Sequence, residues 1–141
     1  MKISTKGRYA VNIMLDMALN NTGDYTTLKT IAERQQLSEK YLEQIIAILN
    51  KAGFVRSIRG AQGGYKLART PEKYTLGMIL RLMEGDLSPV ASFEEEDATS
   101  SKHKCPATLI AWKRLSDAIN DVVDNITLSE MVEWQLSYYS I

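Results

Sequence analysis

Through the first 85 residues the apolar positions recur at helical spacing in four short runs, and the series is broken once by a strand-like segment. In the first run Tyr9, Ile13, Met14, Met17 and Ala18 share a helical face after the polar lead Ser4-Thr5-Lys6-Gly7-Arg8, and Gly23 follows an end near Asn20-Asn21. Thr27 caps a second, short helix over 28–34 that turns Leu28, Ile31 and Ala32 inward, with Gln35-Gln36 as the turn. Ser38 caps a third helix whose buried face is Tyr41, Leu42, Ile45, Ile46 and Leu49, and Gly53 stands just past its end. Residues 55–58 and 65–67 then read as paired strands around the tip Arg59-Gly60-Ala61-Gln62-Gly63-Gly64. A fourth helix is predicted over 75–84, with Leu76, Ile79, Leu80 and Met83 apolar and Gly85 closing it.

Two short helices joined by a tight turn fit any small helical hairpin as well as a helix-turn-helix. The basic, glycine-studded hairpin that follows tips the balance: the predicted fold is mostly α with a small β-hairpin, a winged helix-turn-helix whose third helix would enter a major groove. The glycines of the tip need be no more than turn positions with positive φ. A phosphate-cradling nucleotide loop is excluded, since no Gly-Lys-Ser/Thr follows and no parallel-sheet pattern surrounds it.

After Gly85 the pattern changes. Residues 86–104 carry Ser88-Pro89, the acidic run Glu94-Glu95-Glu96-Asp97 and Thr99-Ser100-Ser101, a composition that buries little and predicts a flexible loop. From Pro106 a longer helix runs to about Asp124, and Trp112, Leu115, Ile119, Val122 and Ile126 recur at intervals of three and four like the seam of a coiled coil. Such a face either folds back on its own domain or pairs with its counterpart in a second chain, and the seam favours the second chain. Thr127 and Glu130 form a capping box for a last helix, whose aromatic end Trp134 to Tyr139 is expected to pack. The expected organisation is a winged head over 1–85 with its wing at about 54–68, a sensor-type loop over 86–105, and a dimerisation helix with a C-terminal helix over 106–141.

With 45% hydrophobic and 24% charged residues the composition is that of an ordinary globular chain. No apolar run approaches the roughly 18 residues of a membrane span, and the polar start is not a signal peptide, so no membrane partner and a cytoplasmic location are expected. The net charge of zero conceals a division. Through Arg69 there are eleven lysines and arginines against five acids, whereas the remainder has six against twelve. A basic front half suits nucleic acid. An enzyme is not expected: the single histidine sits in a polar loop, and no Ser/His/Asp or paired-acid constellation appears.

The start MKISTKGRYAV, the helix LSEKYLEQI, the wing VRSIRGAQGGYKL and the later WKRLSDAINDVVDNITLSEM together resemble the Rrf2 family of bacterial winged-helix transcription factors, over almost the whole chain. The resemblance implies a homodimer built through the long C-terminal helix, two heads reading a pseudo-palindromic site on double-stranded DNA, and a regulator, expected to be a repressor, of cysteine, sulfur or iron–sulfur metabolism. The implied DNA contacts are Ser38, Lys40, Tyr41, Glu43 and Gln44 on the recognition helix, Arg59 with Gly60 and Gln62 in the wing, and Ser4, Thr5, Lys6 and Arg8 near phosphates. Their chemistry agrees: Gln44 suits an adenine edge, Glu43 a cytosine amine and Arg59 a narrow minor groove. Tyr41 reads equally as core, and Glu43 as helix surface.

Cluster-binding members of the family carry three cysteines in the stretch matching 86–105, and this chain has only Cys105. Where a cluster-binding member has a histidine three residues beyond that cysteine, Thr108 stands here. Cys105 and His103 of two subunits, or Cys105 with an acid of the first helix, are the donors left for a cluster, so no cofactor is expected. Cys105 reads otherwise as an inert remnant or as a thiol activated by Lys102 and Lys104. The segment MEGDLSPV is closer to the cysteine-metabolism branch, which has no cluster and senses through a partner enzyme. The rivals to a cluster-free regulator are therefore an iron–sulfur or thiol redox sensor using Cys105 and, in another class, a protein-interaction module that docks an enzyme.

Overall fold

Hydroxyl oxygens start the helices of the head, because the first amides of any helix lack partners within it. In the computed structural model, which describes residues 2–90 and 105–139, Ser4 caps α1 (Thr5–Leu19), Thr27 caps α2 (Leu28–Gln35) and Ser38 caps α3 (Glu39–Lys51), each accepting an N–H three residues on. Gln36 ends α2 in the left-handed region at φ 56°, which makes the sharp turn into α3. Strands β1 (Val55–Ile58) and β2 (Gly64–Leu67) follow, then a 3-10 turn at Pro71–Lys73 that the periodicity does not announce. Thr75 caps α4 (Leu76–Glu84), and the chain continues with α5 (Pro106–Asp124) and α6 (Leu128–Tyr139).

The apolar faces converge on one core. Ile13, Met14, Ile31, Leu42, Ile45, Ile46 and Leu49 are fully buried there, joined by Val55, Leu67, Tyr74, Ile79 and Leu128. Asp16 is also buried, and its carboxylate accepts bonds from Arg34 at 2.7 and 3.1 Å and from Gln35 at 2.9 Å. This ion pair joins the last turn of α1 to the end of α2. Tyr74 closes the base of the hairpin: its hydroxyl donates to the Phe54 carbonyl at 2.6 Å and accepts from the Arg69 amide at 3.0 Å.

The wing is antiparallel, with Val55 opposite Leu67, Arg56 opposite Lys66, and Ser57 opposite Tyr65. It gains a third edge from the loop between α1 and α2, because Thr26 and Tyr65 exchange both backbone hydrogen bonds at 2.7 and 2.8 Å. β2 begins one residue earlier than predicted, and Gly64 permits it: a side chain there would strike the Thr26 carbonyl. Gly60 makes the turn at φ 114°.

The C-terminal helices return to this head. Leu76 donates to the Ile126 carbonyl and Leu128 donates to the Tyr74 carbonyl, a small bridge between α4 and the α5–α6 joint. Two members of the predicted seam fall elsewhere. Ile126 lies beyond Asp124, off the helix, and Ile119 is turned toward Leu80, Leu87 and Val123 within its own chain. Leu87, in the segment expected to be a loop, is buried in that cluster. Trp134, Leu136, Tyr138 and Tyr139 are exposed, with the Tyr138 and Tyr139 rings meeting edge to face at 5.2 Å. The acidic run 94–97 and His103 lie outside the described residues.

Removing the buried carboxylate in Asp16→Ala takes the acceptor from both Arg34 and Gln35 and is expected to lower unfolding free energy by about 1–3 kcal/mol, read from urea midpoints. Tyr74→Phe takes the acceptor from the Arg69 amide and one of two donors from the Phe54 carbonyl, which keeps the Ala68 amide, and should cost about 1–3 kcal/mol in the same measurement.

Candidate nucleic-acid interface

The surface that α3 presents follows from which of its faces the core consumes. Leu42, Ile45, Ile46 and Leu49 point inward, so Lys40, Glu43 and Gln44 are left exposed together on the opposite side, with Ser38 exposed at the cap. Tyr41 is half-buried: its ring meets Tyr9 edge to face at 5.9 Å, which fixes the start of α3 against α1. At the wing tip Arg59, Gly60 and Gln62 are all exposed. Asn50 donates to the Ser57 hydroxyl at 3.4 Å and links the end of α3 to β1, so helix and wing share one frame.

The start of α1 adds a third group. Thr5 and Arg8 are exposed, and the Arg8 guanidinium donates to the Thr5 hydroxyl at 3.4 Å, whereas Lys6 is half-buried. Ser4 has a different employment. Its oxygen accepts the Gly7 amide at 3.0 Å, and its hydroxyl and amide both donate to Glu84 at 2.6 and 2.8 Å.

Sequence reading missed what holds the wing. Lys66 looks like one more cation of the hairpin, yet its ammonium donates to the Gly23 carbonyl at 3.3 Å and lies 4.7 Å from the Tyr25 ring centroid. It roots the hairpin in the α1–α2 loop. Only the chance spacing of Gly23-Asp24-Tyr25 before the Thr26 bridge could have hinted at it, since the contact spans 43 positions.

No catalytic constellation accompanies these groups. A hollow of about 440 Å³ between α1 and α4 is lined by Ile3, Thr5, Arg8, Tyr9, Val11, Asn12, Leu76 and Leu80, without a carboxylate, imidazole or thiol. Cys105 is exposed at the cap of α5, and among the described residues no cluster of three His, Cys, Asp or Glu side chains could hold a metal. No described helix is long and apolar enough to cross a membrane.

The family model described as Rrf2, iron-dependent transcriptional regulator, matches residues 3–134. The chain belongs to the Rrf2 family. Among its relatives the transcriptional regulator CymR of Bacillus subtilis is 44% identical over 134 residues, covering 95% of this chain and 91% of that protein. The regulator IscR of Pectobacterium carotovorum is 38% identical over 132 residues, covering 94% and 79% respectively. Solved structures agree. CymR, titled the global cysteine regulator of B. subtilis, superposes with a TM-score of 0.81 at 43% identity, covering 95% of this chain and 98% of that one. T. potens IscR superposes at 0.76 and 41%, covering 100% and 93%. This Rrf2 chain is thus a winged-helix DNA-binding transcriptional regulator, not an enzyme.

If Arg59 reads a groove, Arg59→Ala should weaken binding to a cognate duplex by about 1–3 kcal/mol in fluorescence anisotropy, with the melting temperature unchanged.

Proposed function

We propose that this regulator acts as a homodimer that places two winged heads on a pseudo-palindromic operator and represses genes of cysteine or sulfur metabolism. The observation that carries the dimer is the state of α5. Only its last third docks on the head, through Ile119, Asn120, Val123 and Asp124, while Trp112 and Leu115 ahead of that contact, and Val122 beside it, stay 41–55% exposed. Large apolar side chains in a row on one projecting helix need a second surface, and a two-fold partner offers the same row. On this reading Trp112, Leu115 and Val122 form the interface. Ile119 braces the helix and Ile126 its joint with α6. The head over 1–85, the loop over 86–105 and the helices beyond it then divide DNA contact, signal input and assembly.

Within each head Lys40, Glu43 and Gln44 face the major groove, Arg59 with Gly60 and Gln62 the neighbouring minor groove, and Thr5, Lys6 and Arg8 the phosphates. Ser38 and Ser4 serve chiefly as caps, and Tyr41 supports the helix.

The metabolic assignment rests on the similarity to CymR and on the donor set. A cluster held mainly by thiolates does not fit a chain whose one cysteine is exposed at a helix cap. The signal then comes through a partner enzyme or through the Cys105 thiol. The reading of an iron–sulfur sensor is disposed of by anaerobically purified protein that is colourless and free of iron.

The dimer reading predicts that Trp112→Glu sediments as a monomer and binds a full operator at least tenfold more weakly while its half-site affinity holds. For the wild type, log Kd should rise linearly with log salt, with a slope near 0.9 per neutralised phosphate. A dimer without salt-dependent DNA binding would favour a protein-interaction module instead.

A further inference from the structure

A glycine in the first turn of α1 is costly to the helix, and Gly7 is buried there at an ordinary φ. Its reason lies 77 residues away. A side chain on Gly7 would overlap the carboxylate of Glu84, the last residue of α4, which is the group that accepts both the amide and the hydroxyl of Ser4. Gly77 repeats the arrangement at the other side of α4: a side chain there would overlap the carboxylate of Asp124 and crowd Arg81. Arg81, one turn before Glu84, donates to both Asp124 oxygens at 2.5 and 3.1 Å and to Asn120 at 2.8 Å. The last turn of α4 therefore grips the start of α1 with one side chain and the end of α5 with the other, and each grip is fitted into the space of a missing Cβ.

We propose that Glu84 is a positioning residue for DNA binding: by fixing the first turn of α1 it sets Thr5, Lys6 and Arg8 against the phosphates, and Arg81 references that turn to α5. The inference rests on the reading of those three residues as phosphate contacts. A carboxylate so close to a surface meant for phosphate would repel DNA if it faced outward. Its two hydrogen bonds to Ser4 and its place at the positive end of α1 neutralise it, which makes it a fitting anchor there.

The test uses full-length Glu84→Gln, Glu84→Ala and Gly7→Ala, with Tyr74→Phe as a destabilised control, titrated into a cognate and an unrelated duplex over a range of salt. Glu84→Ala should raise Kd about tenfold on both duplexes alike and flatten the salt slope by about 1 to 2, the signature of lost phosphate contacts. Gly7→Ala should do the same by evicting the carboxylate, although alanine favours helix. Glu84→Gln keeps an acceptor oxygen and should recover most of the affinity, and Tyr74→Phe should leave the slope intact. A folded Glu84→Ala or Gly7→Ala with unchanged Kd and slope, or with tighter binding, overturns the proposal. Wild-type protein without salt-dependent binding would instead remove the DNA contacts of α1 themselves, and the proposal with them.

Discussion

The geometry of the head depends on one buried charge. Asp16 sits in the last turn of α1 among apolar neighbours, where a lone carboxylate would be costly, and the cost is offset because Arg34 and Gln35 at the end of α2 converge on it. That pairing fixes the crossing of α1 and α2. It also fixes where α2 stops, so that Gln36 can turn left-handed and deliver Ser38 to the start of α3. The orientation of Lys40 and Gln44 thus traces back to a residue that touches nothing outside the protein.

The wing is governed by a second set of long-range ties. A two-stranded hairpin of four residues a side is marginal alone. Here its base is locked by the Tyr74 hydroxyl, its flank by the Thr26 bridge, and its outer strand by Lys66 against Tyr25. The tip beyond these ties is closed by the Gly63 amide donating to the Gly60 carbonyl at 2.9 Å, and Arg59 there is exposed. The hairpin's root is thus held to the head on two sides while its small, cationic tip stands exposed.

Much of this was legible in the sequence because it is local. Thr27 and Ser38 cap the helices they were expected to cap, Thr75 caps a fourth helix that was expected to include it, and the period of Leu42, Ile45, Ile46 and Leu49 fixes the inner face of α3. The boundaries of α5 follow equally from Pro106 and the polar residues after Val123. What escaped is what spans distance. Asp16 reads as an ordinary solvent-side acid of a helix until Arg34 is placed beside it. Lys66 reads as a cation for DNA until Tyr25 is found beneath it. The seam was over-extended to Ile126 for a related reason: a repeat of three and four continues on paper after the helix has ended, because spacing carries no record of where the backbone turns.

The two opposed halves of the charge distribution acquire a structural meaning in this frame. Two acids of the C-terminal half are committed within the fold: Asp124 to Arg81 and Glu84 to Ser4. The hydrogen bonds from Arg81 hold the Asp124 carboxyl below its ordinary value. Because that folded-state value is lowered, the stabilisation from the pair is complete above the ordinary value of 3.8 and fades only as pH falls through the lowered one, so it is fully present near neutrality. The link between α5 and α4 is therefore constant across the neutral pH range. The last turn of α4 thus ties the end of α5 to the start of α1 through Arg81 and Glu84.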